Sequence, residues 1–388
     1  MQPGSDVTII DYESGLGVWG DDAPAVLAKL SHSDAVRHGE TVFVSRSSDV
    51  ERVLRSSRDY SSGPDAGFLG SEEGLIPLQV DPPEHVRYRR ILDPLFAPRK
   101  MAKLAQGIEE LAEECMDAFA SRGNCNFSEE FAVPFPAGTF LDLMGLPRSG
   151  LPEFLVMKDA IIRPQGSTPE EMALIRAQAG QDIHAMFESV LEGQGAADGS
   201  DVASALRARE REGALTRAES LNICHLLLLA GLDTVTGALQ TTFALLARRA
   251  DLRAALAGGP VADSAVEELL RWSVTSPMQN RVARCHDELT GVEVRPGDRV
   301  SVVNGTLNFD PEQVVDPLQV DLGRDRNRHA SFGIGVHRCL GSHLARLEMR
   351  LALQVWHRRL PDYRVAEGCP IAYSPGLREI RDLALAWD

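Results

Sequence analysis

Residues 332–348 read FGIGVHRCLGSHLARLE and combine one cysteine, three glycines and the beginning of an amphipathic pattern. Glycines flank Cys339 on both sides, and glycine lets a backbone turn tightly and bring N–H groups close to an anion or a flat ligand. Apolar side chains then recur at steps of four and three from Leu340 to Val355, which predicts a helix with one buried face. A sulfur at the positive end of that helix is favoured as a thiolate.

A thiolate at this position could be a nucleophile or a metal ligand, and Cys339 could also be a structural thiol. A nucleophile needs a nearby base, and His337, two residues away on a tight turn, need not face the sulfur. The six cysteines include no C-x-x-C pair and no repeated spacing, which disfavours a disulfide framework and a structural zinc site. These residues alone leave the three roles open.

The composition is typical of a globular protein, since 44% of the 388 residues are hydrophobic and 25% are charged. A formal net charge of −16 argues against general binding to nucleic acid or to anionic membranes. The most apolar segment, Leu226 to Leu232, ends at Asp233 and is far shorter than the roughly 20 residues that cross a bilayer. The first ten residues lack the features of a secretory signal. We therefore expect a cytoplasmic protein without a membrane span.

The periodicity predicts a mainly α fold with a minor antiparallel β part, in a single domain over residues 1–388. Helices are expected over residues 102–119, from an N-cap at Thr168, and over 215–250, where the 30 positions from Leu221 to Ala250 would span roughly 45 Å. A short strand at 41–45 precedes a helix. Residues 291–304 predict a hairpin around Pro296 and Gly297, the last twelve residues are strand-like, and residues 192–201 predict a flexible connector.

Four motifs carry a resemblance to a known family. FGIGVHRCLG, residues 332–341, resembles the haem-binding signature of the cytochrome P-450 family, soluble bacterial type, at each defining position. AGLDTVT (230–236) is similar to the family's oxygen-activation motif, EELLR (267–271) to its E-x-x-R motif, and DPPEHVRYR (81–89) to its segment with a His and an Arg. The resemblance covers residues 40–388. It implies the cytochrome P-450 fold, with a long central helix over a buried haem.

The resemblance also implies the cofactor, haem b, with Cys339 as the axial thiolate ligand of its iron. The positions that match the family's cofactor-binding residues are His85, Arg89, Ala230, Arg281, Phe332, Gly333, His337, Cys339 and Gly341. Cationic side chains among them suit the two haem propionates. Asp233 and Thr234 match the family's catalytic pair, which would relay protons during dioxygen activation.

Glu268 and Arg271 lie three residues apart and could form an ordinary exposed ion pair worth a few tenths of a kcal/mol. The resemblance instead implies that they join Arg324, in VDLGR, in a buried network that stabilises the fold. Truncating one partner would then leave a buried charge without compensation.

The segments expected to contact substrate are largely apolar, which implies a hydrophobic small molecule as the cosubstrate of O2. The expected pocket residues are Ile76, Leu78, Leu229, Ala230, Val274, Met278 and Leu377. No GxGxxG fingerprint is visible, so electrons would come from a ferredoxin-type donor with an NAD(P)H reductase. Basic residues at 337–359 and 87–100 could form the docking surface on what we expect to be a monomer.

Phe309 departs from the family pattern, because arginine is common at its position, and we interpret the change as the loss of a surface contact. Two alternative functions remain at this stage. A peroxide-driven haem-thiolate peroxygenase would share Cys339 but usually lacks the acid–alcohol pair formed here by Asp233 and Thr234. A non-enzymatic haem-binding sensor would need an output domain, and none is apparent.

Overall fold

The computed structural model describes residues 16–67, 74–162, 164–193 and 201–388. Helices dominate these ranges, which confirms the mainly helical prediction. The α-helices are α1 (Ala23–Leu30), α2 (Ser47–Arg55), α3 (Glu84–Leu92), α4 (Pro98–Met101), α5 (Ala105–Asp117), α6 (Pro134–Met144), α7 (Leu151–Ile162), α8 (Pro169–Glu192), α9 (Val202–Arg211), α10 (Arg217–Gly231), α11 (Asp233–Arg248), α12 (Ala250–Ala257), α13 (Asp263–Ser273) and α14 (Ser342–Arg359). Most of the connector predicted at 192–201 lies outside the described residues, as do the first fifteen residues.

The strands are short and form four small sheets. They are β1 (Val36–His38), β2 (Thr41–Val44), β3 (Tyr60–Ser61), β4 (Asn124–Asn126), β5 (Gln279–Ala283), β6 (Asp287–Leu289), β7 (Val292–Val294), β8 (Arg299–Val302), β9 (Arg364–Val365), β10 (Tyr373–Ser374), β11 (Glu379–Ile380) and β12 (Ala384–Ala386). The largest sheet has the order β1-β2-β8-β5-β3, and the others are β4-β12-β9, β6-β7 and β10-β11. The β2–β8 pair is parallel, whereas the other pairs in the described residues are antiparallel.

The hairpin predicted around Pro296 and Gly297 is wrong. Strand β7 pairs with β6, whereas β8 pairs with β2 and β5, so the Pro-Gly turn connects two different sheets. The hairpin lies one turn earlier, at Thr290 and Gly291, where both residues have positive φ (41° and 82°). A two-residue turn of that kind matches the twist of the flanking strands. Gly291 satisfies the usual sequence rule, but threonine at positive φ hides the signal.

The central helix predicted over 215–250 is divided into α10 and α11 at Leu232, whose backbone angles are −98° and −70°. Thr234 Oγ1 donates to the Ala230 carbonyl at 2.9 Å, and a hydroxyl bonded to the preceding turn bends helices. The segment Arg217–Arg248 is long and apolar enough to cross a membrane, yet 67% of its most apolar window is buried in the protein. We therefore interpret it as the core helix of the fold.

Local signals elsewhere agree with the structure. Thr168 caps α8, because its side chain accepts a hydrogen bond from the Glu171 backbone N–H at 3.2 Å. In α14, Leu351 and Val355 are buried and two further leucines of the predicted stripe are partly buried. Leu340 precedes the first helical residue, Ser342, so the cysteine lies in the turn before α14 rather than in its first turn.

The larger core gathers α5, α11, α13, α14 and the C-terminal strands around Trp356, which is fully buried. The indole contacts Phe127, Phe131 and Phe243 edge-on, with ring centroids 5.0 to 5.4 Å apart. Edge-to-face packing at such distances is favourable beyond the area buried. This core fixes α14 against α11, the two helices on either side of the candidate site.

The interpretation of Phe309 as a surface position is wrong. Phe309 is fully buried, its ring meets Trp272 edge-on at 5.8 Å, and the Arg271 guanidinium lies 5.2 Å from its centroid. Residues of α1, including Leu27, complete this small core. Phenylalanine replaces a charge here because the N-terminal segment packs over the position.

Glu268 lies at the centre of a buried network, and neither it nor Arg271 is exposed. Arg271 Nε and Nη2 donate to the two carboxylate oxygens, each at 2.8 Å, and Arg324 Nε donates at 2.9 Å. Asn327 Nδ2 and the Asp321 backbone N–H add bonds of 2.8 and 2.9 Å. Burial alone would raise the pKa of Glu268, but the bonds and charge of Arg271 outweigh it and lower the pKa.

Replacing Arg271 by methionine is expected to lower the free energy of unfolding by about 3–5 kcal/mol, because Glu268 stays buried without its bidentate partner. Urea unfolding followed by circular dichroism measures the change. The matched control is Arg350→Met, which removes an exposed arginine 3.3 Å from Asp263 and should cost about 1 kcal/mol or less. Equal losses in the two variants would contradict a special role for the network.

Candidate active site

A cavity of about 490 Å³ separates the α10–α11 segment from the cysteine loop and α14. Its wall comes from five further parts of the chain: the loop at residues 62–79, α3, α6, the end of α13 and β5. The sequence motifs at 81–89, 230–236 and 332–341 all contribute to this one wall. The structure thus brings together segments that extend from Ser62 to Met349 in the sequence.

The cysteine loop is a compact turn held by its own backbone. Cys339 N donates to the Phe332 carbonyl at 2.8 Å, and Gly333 N donates to the Ala330 carbonyl at 2.8 Å. Gly335 has a φ of 74°, and a Cβ there would lie 2.5 Å from the Leu54 carbonyl oxygen. Only glycine fits this approach of the loop to α2, which explains the glycine in the motif.

Cys339 is accessible because its side chain lines the cavity, although protein surrounds it on the other sides. This burial raises the pKa of the thiol. The Gly341 backbone N–H and the charges of nearby arginines act in the opposite direction without overcoming it. A metal ion bound at the sulfur would supply the missing stabilisation, since a coordinating cation deprotonates a thiol. The position therefore fits an axial metal ligand.

Three basic side chains reach the same cavity without a carboxylate hydrogen-bond partner. The rings of His85 and His337 meet edge-on at 4.5 Å, and buried nitrogens of both rings have no hydrogen bond. Arg281 donates to the Asn280 carbonyl at 2.7 Å and contacts a glutamine amide. Burial lowers the pKa of Arg281 to about 10. Burial together with repulsion from His337 lowers the pKa of His85 to about 4.

One carboxylate, Asp81, lies near these three basic groups, so the cluster has more positive than negative groups and fits a ligand that carries carboxylates. The nearest carboxylate, Asp81, is 3.6 Å from His337 and already binds Ser61 and Arg284. Arg89 is less available than the sequence predicts. It lies 2.7 Å from Asp93 and donates to the Arg338 carbonyl at 2.8 Å, so it also braces the cysteine loop against α3.

Glu267, next to Glu268 in α13, binds the residues on the other side of the loop. Its carboxylate accepts from Arg346 at 2.5 and 2.8 Å and lies 3.0 Å from His329 Nε2. Burial would raise the pKa of Glu267, but these two partners lower it to about 2. The Arg346 guanidinium in turn lies 4.4 Å from the centroid of the Phe332 ring. The aromatic residue of the motif is therefore packed under a fixed cation.

Thr234 lines the cavity, whereas Asp233 faces away from it. Asp233 borders a second cavity, of about 620 Å³, which lies between α7, α8, α11 and the C-terminal strands. Its Oδ1 accepts a hydrogen bond from Lys158 Nζ at 2.8 Å, and both side chains are only 2% exposed. Burial lowers the pKa of Lys158, but the charge of Asp233 outweighs it and raises the pKa. The predicted pair thus spans α11, with one member on each side.

Sequence reasoning missed Lys158 because it belongs to no motif. The one signal was a lysine within LPEFLVMKDAII, residues 151–162, a largely apolar stretch. Sequence reasoning also missed Glu348, which lies within the basic segment 337–359. Glu348 lines the cavity from α14, and complete burial raises the pKa of its carboxyl well above the usual range. Its position in the cavity wall thus favours the neutral form of this acid.

Of the expected substrate contacts, Leu78, Ala230 and Met278 line the cavity. Leu229 lies on α10 one residue before Ala230 and packs instead into the core formed by α6–α10. Ile76 packs against the same core, and its backbone N–H donates to Asn222 Oδ1 at 2.6 Å.

Val274 and Leu377 are also outside the cavity wall. Val274 ends α13 in a left-handed conformation (φ 35°), which turns its side chain into the small core around α1. Leu377 is half-buried in the turn before β11 and does not reach the cavity. Thr275, Ser276 and Asn280 replace them in the wall. Neighbours of Ile76, Leu229 and Val274 line the cavity, whereas no neighbour of Leu377 does. The prediction therefore located three of these four segments but not the side chains that reach the cavity from them.

Several known proteins are similar to this chain in sequence or in structure. The family model described as cytochrome P450 matches residues 166–358. A probable cytochrome P450 127A1 of Sinorhizobium fredii is 32% identical over 374 residues, covering 95% of this chain and 88% of the relative. The mycinamicin IV hydroxylase/epoxidase of Micromonospora griseorubida is 32% identical, with 90% of each chain covered. The crystal structure of CalO2 superposes with a TM-score of 0.85 at 25% identity, covering 98% and 99% of the two chains.

Proposed function

Because the chain belongs to the cytochrome P450 family of monooxygenases, we propose that it inserts one atom of dioxygen into a hydrophobic small molecule. The proposed cofactor is haem b, bound through Cys339. The observation that carries the proposal is the cavity itself, where one cysteine faces basic side chains that lack hydrogen-bonded carboxylates. The hydroxylase/epoxidase name of one relative supports this reaction class.

Thiolate-ligated haem supplies the dioxygen chemistry of the family. The chain's own residues would hold it from two directions. Cys339 would bind the iron from the loop side, and the Gly341 N–H would moderate the charge on its sulfur. His85, His337 and Arg281 would bind the propionates, which would supply the anions that these groups lack.

The reduced protein under carbon monoxide is expected to have the Soret band of thiolate-ligated ferrous haem, and Cys339→Ala should abolish it. The absorption spectrum measures this directly. Cys369→Ala is the matched control, because Cys369 is exposed and does not line the cavity. Absence of haem from the purified protein, or a histidine-type band that survives Cys339→Ala, would contradict the proposal.

Proton delivery is proposed to run through α11. Thr234 Oγ1 lies on the cavity face, where a hydroxyl can pass a proton to the reacting site. Asp233, the residue before Thr234, would resupply that proton from the side of the second cavity. Lys158 would hold the Asp233 carboxylate in place. This arrangement favours dioxygen over peroxide as the oxidant, since peroxide brings its own protons.

Thr234→Ala is expected to raise severalfold the fraction of NADPH electrons that end up in hydrogen peroxide instead of product, because protons no longer arrive on the cavity face. Thr234→Ser retains the hydroxyl and serves as the control. The measurement is the amount of hydrogen peroxide formed per NADPH consumed. The reaction contains a surrogate ferredoxin and reductase as electron donors, and a ligand chosen because it shifts the Soret band. Faster product formation with added hydrogen peroxide than with this electron-transfer system would favour the peroxygenase alternative.

We propose that the electron donor is an acidic ferredoxin. Arginines that already pair with acids of this chain are less available for docking, so fewer residues remain as candidates for the docking surface. Many arginines predicted for docking bind acids within the chain: Arg87 with Glu219, Arg89 with Asp93, Arg346 with Glu267, Arg350 with Asp263, Arg358 with Glu109, and Arg359 with Asp117. Within residues 87–103 and 337–359, five exposed cations have no ion pair to another described residue: Arg90, Arg99, Lys100, Lys103 and Arg338. They lie on α3, around α4 and on the cysteine loop, which are packed together. We name these five residues the open basic patch.

Neutralising Arg90 and Arg338 together by glutamine is expected to slow reduction by ferredoxin roughly tenfold at low salt, because steering by unpaired charges is lost. Stopped-flow reduction measures the rate. The matched control neutralises Arg350 and Arg358, which changes the net charge equally but removes cations already paired within the chain. Equal effects in the two double variants would contradict docking at the open basic patch.

We further propose that the protein acts as a single-domain monomer in the cytoplasm.

A further inference from the structure

The cavity wall divides into a charged part and an uncharged part. Among the described residues, the acidic and basic side chains in the wall are His85, Arg89, Arg281, His337, Arg338 and Glu348. All of them come from α3, β5, the cysteine loop or α14. The remaining wall, from residues 62–79, 226–238 and 273–280, carries no charged side chain among those described. This uncharged part is the region left for substrate once the cofactor is in place.

Four polar side chains in the uncharged part form no hydrogen bond within the described chain: Ser62, Thr275, Ser276 and Asn280. The Ser62 hydroxyl is itself buried, which leaves the other three for contact with a ligand. The methyl group of Thr275 packs on Gly237 of α11, where a Cβ would come within 2.6 Å, and this contact fixes its rotamer. The Asn280 amide lies across from Gly67, with Nδ2 3.9 Å from the position of a Cβ there. These groups can therefore offer hydrogen bonds to a ligand.

Neighbouring polar residues in the wall are already satisfied. Ser273 Oγ donates to the Leu270 carbonyl at 3.1 Å. Gln79 accepts from the Leu75 backbone N–H at 3.1 Å and donates to the Gly67 carbonyl at 2.6 Å. Hydrogen-bonding capacity toward a ligand is thus concentrated at residues 275–280. The opposite wall is apolar, with Leu78, Leu226 and Leu227.

We propose, on the basis of the proposed function, that the substrate is an uncharged, mostly apolar molecule with a hydroxyl or carbonyl group that binds Thr275 and Asn280. The apolar body would pack against Leu78, Leu226 and Leu227. The oxygen-bearing edge would satisfy the hydroxyl and amide, which otherwise remain unpaired next to apolar surface. These two residues determine which edge of the substrate lies toward β5.

A carboxylate substrate does not fit this wall. Arg281 and the two histidines are assigned to the propionates of the cofactor, Arg89 is paired with Asp93, and Arg338 lies on the cysteine loop, in the charged part of the wall. A carboxylate among the leucines would therefore lose its water without gaining a cation, which is strongly unfavourable. Charge thus discriminates between neutral and acidic molecules of the same carbon skeleton.

The test titrates the haem-loaded protein with a panel of probes and measures dissociation constants from the Soret shift. Three carbon skeletons are used, a linear C12 chain, a decalin bicycle and a steroid, each as hydrocarbon, alcohol and carboxylate at pH 8. At least one alcohol is expected to bind tenfold or more tightly than its carboxylate. Thr275→Val with Asn280→Ala should weaken that alcohol by about fivefold or more and leave its hydrocarbon unchanged.

Ser273→Ala is the matched control, because it removes a hydroxyl from the same wall that is already bonded, and the preference for the alcohol should persist. Carboxylates that bind as tightly as their alcohols, or a preference that survives the double substitution, would overturn the inference. Failure of the proposed function is distinguishable, because it removes the thiolate band from the carbon monoxide spectrum of the same sample. With that band present, the panel tests the substrate class alone.

Discussion

Two adjacent glutamates in one turn of α13 hold the segment that leads into the cysteine loop. Glu268 binds Arg271 of its own helix, and Arg324 and Asn327 of the preceding segment. Glu267 binds Arg346 of α14 and His329. The loop between these anchors is thus fixed at both ends to a single helical turn. The position of the sulfur relative to α11 follows from this constraint, because the core around Trp356 packs α13, α14 and α11 into one unit.

The electrostatics of the cavity show why the polypeptide alone is incomplete. Burial raises the pKa of the Cys339 thiol and lowers that of His85 to about 4 and of Arg281 to about 10. Each shift favours the neutral form of its group. A cofactor that combines a cation at its centre with carboxylates at its edge reverses all three tendencies at once. Binding such a group therefore adds stability to the folded state, in proportion to how far its ligands are out of balance without it.

The sequence was most informative where chemistry requires a particular residue. Gly333 and Gly335 of the cysteine loop have positive φ, and a Cβ at Gly335 would meet the Leu54 carbonyl, so the sequence signal there has a backbone cause. The Glu268 network could be predicted because each of its buried charges needs a partner. Pairing in space could not be predicted. Arg350 and Arg346 resemble unpaired cations in the sequence, yet each meets an acid from α13. Val274 is apolar and lies in the expected segment, but a left-handed turn directs its side chain into a different core.

Helix α11 separates two compartments of different character. Asp233 faces a cavity bordered mostly by polar and charged side chains, and its neighbour Thr234 faces one whose substrate wall is mainly apolar. A single peptide bond therefore separates a mainly polar cavity from a mainly apolar one. A molecule that fills the cavity beside Thr234 does not occupy the cavity beside Asp233, so substitutions that reshape the first cavity need not alter the second.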